Sequence, residues 1–188
     1  MNTKELKALC KKVWHFIWED DSFLSWVVNV ILAFILVKFI IYPGLGFLLG
    51  TSFPVVAVVS GSMEHDGSFD SWWNGQKSFY ENLGITKDDF KNYKFKNGFN
   101  KGDIMVLFKA KNINKGDVIV FWGSASEPII HRVVKIDNTY QTKGDHNSGS
   151  RGDEMNITED KILGRAVLRI PYLGWLKLIF MQIVGRVI

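Results

Sequence analysis

Hydrophobic and polar positions divide the chain into stretches of different period. Between residues 4 and 17, Leu6, Leu9, Cys10, Val13, Trp14 and Ile17 recur at roughly helical spacing, and Lys4, Lys7, Lys11 and Lys12 fill the gaps. The pattern predicts an amphipathic helix, lying on a membrane or solvated along its lysine face. Glu19, Asp20 and Asp21 follow, and Asp21 or Ser22 is placed to cap a second helix. Phe23 to Tyr42 is then apolar except for Ser25, Asn29 and Lys38. About twenty residues at about 1.5 Å each make a rod of roughly 30 Å, the thickness of a bilayer's hydrocarbon core. Trp26 and Tyr42 stand near its ends, where interfacial aromatics belong, and Lys38 is close enough to one end to snorkel. The run reads as an anchor rather than a cleaved leader, because it is long and no small-x-small site follows. Pro43, Gly44 and Gly46 are expected to end it.

Beyond the anchor the helical period disappears. Pro54 to Ser62 is a β-branched run that suits a buried strand. Residues 64–100 are polar overall yet hold Phe69, Trp72, Trp73, Phe79, Tyr80, Phe90, Tyr93, Phe95 and Phe99. Ser78 with Glu81, and Thr86 with Asp89, suggest capping boxes on two short helices. This stretch reads as an insertion between strands, either a lid or a membrane-touching flap to which Trp72 and Trp73 contribute. From Lys101 onward strands and turns alternate. Lys101-Gly102-Asp103 launches Ile104 to Phe108, and Lys115-Gly116-Asp117 launches Val118 to Trp122. Ile129 to Ile136 and Tyr140 to Lys143 flank a hairpin turn at Asp137-Asn138-Thr139, and Ile162 to Ile170 supplies a last strand.

So many short strands in succession predict a mainly β fold, an antiparallel sheet with an N-terminal membrane helix and a small helical insertion. The expected divisions are an amphipathic segment (1–22), an anchor (23–42), a body (43–171, interrupted at 64–100) and a C-terminal membrane or interfacial helix (172–188). The last is apolar but for Lys177, Gln182 and Arg186, and a span there would return Arg186 to the inner side. Lysines before the anchor and few positive charges just after it place the N-terminus in the cytoplasm and the body outside.

Composition narrows the chemistry. The chain of 188 residues carries a formal net charge of +4 and seven tryptophans, a balance that suits an anionic membrane surface. No basic stripe interleaved with stacking aromatics points to nucleic acid. One cysteine, Cys10, excludes an internal disulfide, and no Cys/His cluster has zinc spacing. No metal, nucleotide or other cofactor is called for.

The candidate chemistry begins at Ser60-Gly61-Ser62-Met63. On a strand, residues two apart share a face, so one hydroxyl can attack while the other donates to an oxyanion. Alone, Ser-Gly-Ser is more often a turn. A serine also needs a base. His15 lies before the anchor, His65 is only three residues from Ser62, and His146 follows a turn, whereas His131 lies in the strand Ile129 to Ile136. Asp145 and Asp153 are the acids of the turn-rich stretch that follows.

Taken together these pieces resemble type I signal peptidases of the archaeal and endoplasmic-reticulum branch. The markers are the anchor, Ser60-Gly61-Ser62-Met63, the Gly-Asp strand starts, Ile130-His131-Arg132-Val133, Lys143-Gly144-Asp145, and the closing Ile162-Leu-Gly-Arg with Ile170-Pro-Tyr-Leu-Gly. They fall in the family's order and cover Phe23 to about Trp175, apart from the insertion. The resemblance implies a membrane-bound serine endopeptidase in the cell membrane, or in the endoplasmic-reticulum membrane of a eukaryote. Its partners would be the signal peptides of exported preproteins, membrane lipid and the secretion translocon. It implies Ser62 as nucleophile and His131 as base, where the bacterial branch has a lysine. Ser60 and the Met63 backbone N–H correspond to oxyanion donors, and Asp145 and Asp153 to acids that orient the histidine. Val55, Val56, Ala57, Val58 and Val59 would receive the substrate as an added strand, with small side chains at alternate positions.

The chain departs from the pattern in having His65 where the family has proline and His146 within Gly-Asp-His-Asn. Its gap after Asp145 is two residues longer, which keeps Glu154 open as an alternative to Asp153. Two rival functions remain: a non-catalytic subunit that binds exported chains, and a hydrolase using Lys143 or Lys109 as base. The second needs a buried lysine, and Lys143, read as a turn residue, is expected to be exposed.

Overall fold

A computed structural model describes residues 2–124 and 127–184. The chain forms two compact units, Met1–Leu45 and Gly46–Ile188.

In the first unit, α1 (Thr3–Trp18) starts at Asn2, whose N–H donates to Glu5 at 2.9 Å. Helix α2 (Phe23–Leu36) is capped by the Ser22 hydroxyl, which accepts from the Ser25 N–H at 3.2 Å. Ser25 and Asn29, the early polar residues of the apolar run, serve the end of α1. The Ser25 hydroxyl donates to the Phe16 carbonyl at 2.6 Å and the Asn29 amide to the Ile17 carbonyl at 2.9 Å. These carbonyls lack partners within α1, and lipid would supply none.

The helix does not break at Pro43. A π turn (Val37–Ile41) joins α2 to α3 (Tyr42–Leu49), and Tyr42 N–H reaches back to the Val37 carbonyl. Proline lacks an N–H and crowds the carbonyl four residues earlier, and a widened turn just before it relieves both problems. Phe23–Leu49 is thus one helix of 27 residues, long and apolar enough to cross a membrane. It stops at Gly50, whose φ of 65° is the left-handed conformation that ends helices, with Thr51 N–H on the Gly46 carbonyl at 3.1 Å.

The second unit is built on a six-stranded antiparallel sheet of order β1-β2-β6-β3-β4-β5. The strands are β1 (Val55–Ala57), β2 (Ile104–Phe108), β3 (Val118–Phe121), β4 (Ile129–Ile136), β5 (Tyr140–Lys143) and β6 (Ile162–Ile170). The antiparallel class and most strand positions match the sequence reading; β1 is shorter than expected, ending at Ala57. The two Lys-Gly-Asp turns are the same device. Gly102 and Gly116 have φ of 88° and 95°. Asp103 and Asp117 accept from the N–H of Asn100 and Asn114 at 2.7 and 2.9 Å. A Cβ on Gly102 would strike the Trp175 ring and one on Gly116 the Tyr93 ring, so both turns are also packing sites.

Strand β3 is buried on both faces. Val118 and Val120 join Val58, Met63, Phe99, Met105, Leu107 and Ala166 in one cluster. Ile119 and Phe121 join Ile113, Val133 and Ile157 in another. The alternation of strand side chains thus makes two layers of core from one run of apolar residues.

The insertion carries α4 (Phe69–Asn82) and α5 (Lys87–Lys91). Ser68 caps α4, so Ser78 and Glu81 lie inside that helix rather than at its start, whereas Thr86 and Asp89 form the expected capping box of α5. Trp72, Trp73, Tyr80, Ile85 and Phe90 are buried with Val134 of β4. The two tryptophans are 6% and 3% exposed, so they are core residues and not the membrane contacts expected of them. Helix α6 (Trp175–Val184) closes the described chain, and Arg186 lies outside the described residues.

Replacing Trp73 by alanine is expected to destabilise the second unit by about 3 to 5 kcal/mol. Phe47, exposed at the end of α3, should change stability by under about 0.5 kcal/mol when made serine. Guanidinium unfolding of the full chain in detergent would check both.

Candidate active site

The chain leaves β1 at Ala57 and turns through Val58 to Glu64. Val58 is pinned to the β2 turn by two backbone bonds, its N–H to Asp103 at 2.9 Å and its carbonyl from Gly102 at 2.8 Å. The Glu64 N–H closes a tight turn on the Gly61 carbonyl at 3.0 Å, leaving Ser62 half-buried at its tip. The hydroxyls of Ser60 and Ser62 are 3.2 Å apart, although neither residue lies in a strand. Met63, wholly buried, anchors the turn, and its carbonyl accepts from Phe99 at 3.0 Å.

His131 sits on β4 opposite Ile119 of β3, in a position fixed by the register of the central strands. Its Nε2 is 2.9 Å from Ser62 Oγ and its Nδ1 contacts Glu154. Both His131 and Glu154 are buried. Glu154 ends a short 3-10 turn, Gly152–Glu154, and its second oxygen accepts from the Arg151 N–H at 2.7 Å. A carboxylate accepts only, so His131 donates from Nδ1 and leaves Nε2 to accept from the Ser62 hydroxyl. The arrangement is a hydroxyl, an imidazole and a carboxylate in series, able to move a proton off Ser62.

Neither aspartate expected at the histidine is there. Asp145 faces Arg132, the next residue along β4, whose side chain leaves the opposite face. Asp153, adjacent to Glu154 on the 3-10 turn, lines the same cleft as His131 but makes no hydrogen bond to it, and accepts from the Ser124 hydroxyl at 3.1 Å. The acid beside the imidazole is Glu154. Its neighbour in sequence differs only in direction, which depends on the path of a loop and leaves no signature in the residue pattern.

Asp145 instead centres a buried network. Its two oxygens accept from Arg132 Nε at 2.9 Å and Nη2 at 2.6 Å, from the Tyr80 hydroxyl at 3.2 Å, and contact His65 Nε2 at 3.1 Å. The His65 ring stacks on Trp72, with centroids 3.7 Å apart. Burial pushes the Asp145 carboxyl upward, but Arg132 and His65 outweigh it and hold the group well below the usual carboxylate range. Burial, followed by the Asp145 charge, raises Tyr80 well above the usual phenol value.

Lys143 is wholly buried, contrary to the expectation from its place before a turn. Burial lowers its ammonium to about 8, with Asp145 and Glu154 opposing the shift. Its donors go to Gln76 at 3.0 Å, Gly144 at 3.0 Å and Asp145 at 3.3 Å, none of them Ser62. Lys109, the other lysine considered, is exposed beside Gly50.

A cleft of about 740 Å³ opens over the hydroxyls, lined by Ala57, Val59 and Ser60 on one side and Pro128, Ile129 and Ile130 on the other. Strand β1 is at the edge of the sheet, so one side of its backbone is free to accept another strand. Among the described residues no group of His, Cys, Asp and Glu has the arrangement of a metal site.

Replacing Asp145 by asparagine should cost about 3 to 5 kcal/mol of stability at neutral pH, because Arg132 would be left buried without its counter-charge. The depressed Asp145 value means that this contribution is complete above the ordinary carboxylate pKa and is lost as pH falls through the native one. The gap between wild type and variant in denaturant unfolding should therefore be constant near neutrality and narrow progressively once pH falls below the ordinary carboxylate range. Asp153→Asn, which weakens two exposed contacts with Ser124, should cost under about 1 kcal/mol.

No protein-family model matches the chain. It is similar to the signal peptidase complex catalytic subunit SEC11C of Homo sapiens and of Mus musculus, at 29% identity over 153 residues. That match takes in 74% of this chain, which spans 63% of the length of each mammalian relative. It is also 28% identical over 171 residues to the signal peptidase complex catalytic subunit SEC11 of Colletotrichum graminicola, covering 80% of this chain and 83% of the relative. The motif resemblance thus agrees with a similarity that runs over most of the chain: there it is similar to signal peptidase complex catalytic subunits.

Proposed function

We propose that the chain is a membrane-bound serine endopeptidase that cleaves signal peptides from exported preproteins. The observation that carries this reading is the series Ser62, His131 and Glu154, with hydroxyl and imidazole 2.9 Å apart at the base of an open cleft. The similarity to signal peptidase catalytic subunits supplies the substrate class.

In the proposed reaction an extended segment of preprotein adds to the free edge of β1, along Val55 to Val59, and is held by main-chain hydrogen bonds. Ser62 Oγ attacks the scissile carbonyl carbon while its proton passes to His131 Nε2. Glu154 keeps the imidazole in the Nδ1–H tautomer and stabilises the imidazolium. The Ser60 hydroxyl, 3.2 Å from the nucleophile, and the Met63 N–H are the donors to the carbonyl oxygen as it gains charge. The imidazolium then protonates the leaving amine, the peptide bond breaks, and an acyl ester remains on Ser62. Water, deprotonated by the same imidazole, hydrolyses the ester and restores the hydroxyl.

The apolar helix Phe23–Leu49 anchors the enzyme, with the lysine-bearing α1 in the cytoplasm and the sheet outside. Phe47 and Leu48, 88% and 73% exposed, continue the anchor's apolar surface and are proposed to lie in lipid. The compartment is the cell membrane, or the endoplasmic-reticulum membrane of a eukaryote, beside the secretion translocon.

Cleavage of a model preprotein by the full chain in lipid tests the reading. Ser62→Ala and His131→Ala should each abolish turnover, and Ser60→Ala should lower kcat by about 10²- to 10³-fold, as loss of one oxyanion donor does elsewhere. Retention by His131→Ala of more than about a tenth of wild-type kcat/KM, a loss under about 1.4 kcal/mol, would contradict it. Orientation has its own check. Cys10 should resist a membrane-impermeant thiol reagent in intact cells and react after lysis.

A further inference from the structure

Lys143 takes no part in the reaction proposed above, yet its surroundings are arranged around its charge. It is the one lysine buried among the described residues. An ammonium has three donors and no acceptor, and here three oxygens meet it: Gln76 Oε1, the Gly144 carbonyl and the Asp145 carbonyl. The rings of Phe79 and Tyr80 lie 5.2 and 4.9 Å from Nζ. Two of the oxygens belong to the loop that touches the nucleophile. In that loop the His146 N–H donates to the Ser62 carbonyl at 2.9 Å. Gly144 lies so close that a Cβ would come within 2.7 Å of the Ser62 carbonyl and 2.8 Å of His131 Nε2. A small shift of this backbone would therefore move both reacting groups.

We infer that Lys143, in its protonated form, is a positioning residue whose ammonium draws the Gly144 and Asp145 carbonyls and the Gln76 amide into a clamp holding the loop against Ser62. The inference rests on Ser62 and His131 being the reacting pair. A neutral amine has two N–H groups and a lone pair, and cannot satisfy three oxygens. Loss of the proton must release at least one of them and set a lone pair against it. The groups facing Nζ are Asp145 from its own loop, Glu154 from the 3-10 turn, Arg132 from β4 and Tyr80, Phe79 and Gln76 from α4. Burial lowers the ammonium to about 8, Asp145 and Glu154 hold it up, and Arg132 pushes it further down. The clamp should consequently fail as pH rises through about 8.

The sign separates this role from that of a base. A positioning ammonium loses function on deprotonation, whereas a lysine that accepts the Ser62 proton gains it. The test is the pH dependence of preprotein cleavage by the full chain in lipid, from about pH 6 to 10, for wild type, Lys143→Met and Gln76→Leu. Wild-type kcat should fall through pH 8. Lys143→Met should show kcat about tenfold lower near neutrality, KM little changed, and no fall at that pH. Gln76→Leu, which removes one acceptor from a half-buried helix position and keeps the lysine, should move the fall to lower pH; this variant decides the matter if Lys143→Met does not fold. A wild-type kcat that rises through pH 8 would overturn the inference in favour of a lysine base. A fall unchanged in both variants would also overturn it. Failure of the underlying reading looks different, since Ser62→Ala or His131→Ala would then remain active.

Discussion

All five N–H donors of the Arg132 guanidinium are used in the interior of the second unit. Two go to the Asp145 carboxylate, and the others to the carbonyls of Lys94, Gly116 and Phe95 at 2.8, 3.0 and 2.9 Å. The Phe90 ring lies beneath the guanidinium at 4.6 Å. Burying such a pair costs several kcal/mol per ion, and only complete hydrogen bonding offsets it. That requirement ties together parts of the chain far apart in sequence. Lys94 and Phe95 belong to the insertion, Gly116 to the turn before β3, and Asp145 to the loop that is hydrogen-bonded to Ser62 through the His146 N–H. None of these can move without leaving a buried charge short of a partner.

The aromatic insertion is part of this constraint. Trp72 donates from its indole to the Asp145 carbonyl at 3.0 Å, Tyr80 donates to the carboxylate, and Gln76 meets Lys143. Helix α4 thus packs its aromatic face against a polar network instead of facing lipid. The two faces of β4 then have separate duties. Arg132 sends its side chain to the structural network on one side, and His131 sends its ring toward Ser62 and Glu154 on the other. Two carboxylates close in sequence acquire unlike environments, one locked to a guanidinium and one to an imidazole.

Much of this architecture was legible in the sequence, because apolar period and turn residues are local signals. Strands β2 to β6 follow the β-branched runs, and the Asn-Lys-Gly-Asp turns follow from the need for a positive φ at Gly102 and Gly116. The helix running past Pro43 was not legible, since a π turn leaves no mark in composition. Trp72 and Trp73 misled in the same way: tryptophan suits a membrane interface and a buried aromatic cluster equally. Lys143 was misplaced because a lysine before a glycine turn normally reaches water, and its burial depends on acceptors from α4 and its own loop. The choice of Glu154 over Asp153 or Asp145 depended on strand faces and loop direction, which are tertiary.

The central claim is that Glu154, and neither aspartate, orients His131 for reaction with Ser62. The most direct measurement is kcat/KM for preprotein cleavage by Glu154→Gln, Asp153→Asn and wild type at neutral pH, with folded fractions equalised. Glu154→Gln should fall by about 10²- to 10⁴-fold, in line with loss of an orienting carboxylate, while Asp153→Asn should stay within about threefold. Near-wild-type turnover by Glu154→Gln, or a greater loss in Asp153→Asn, would contradict the account.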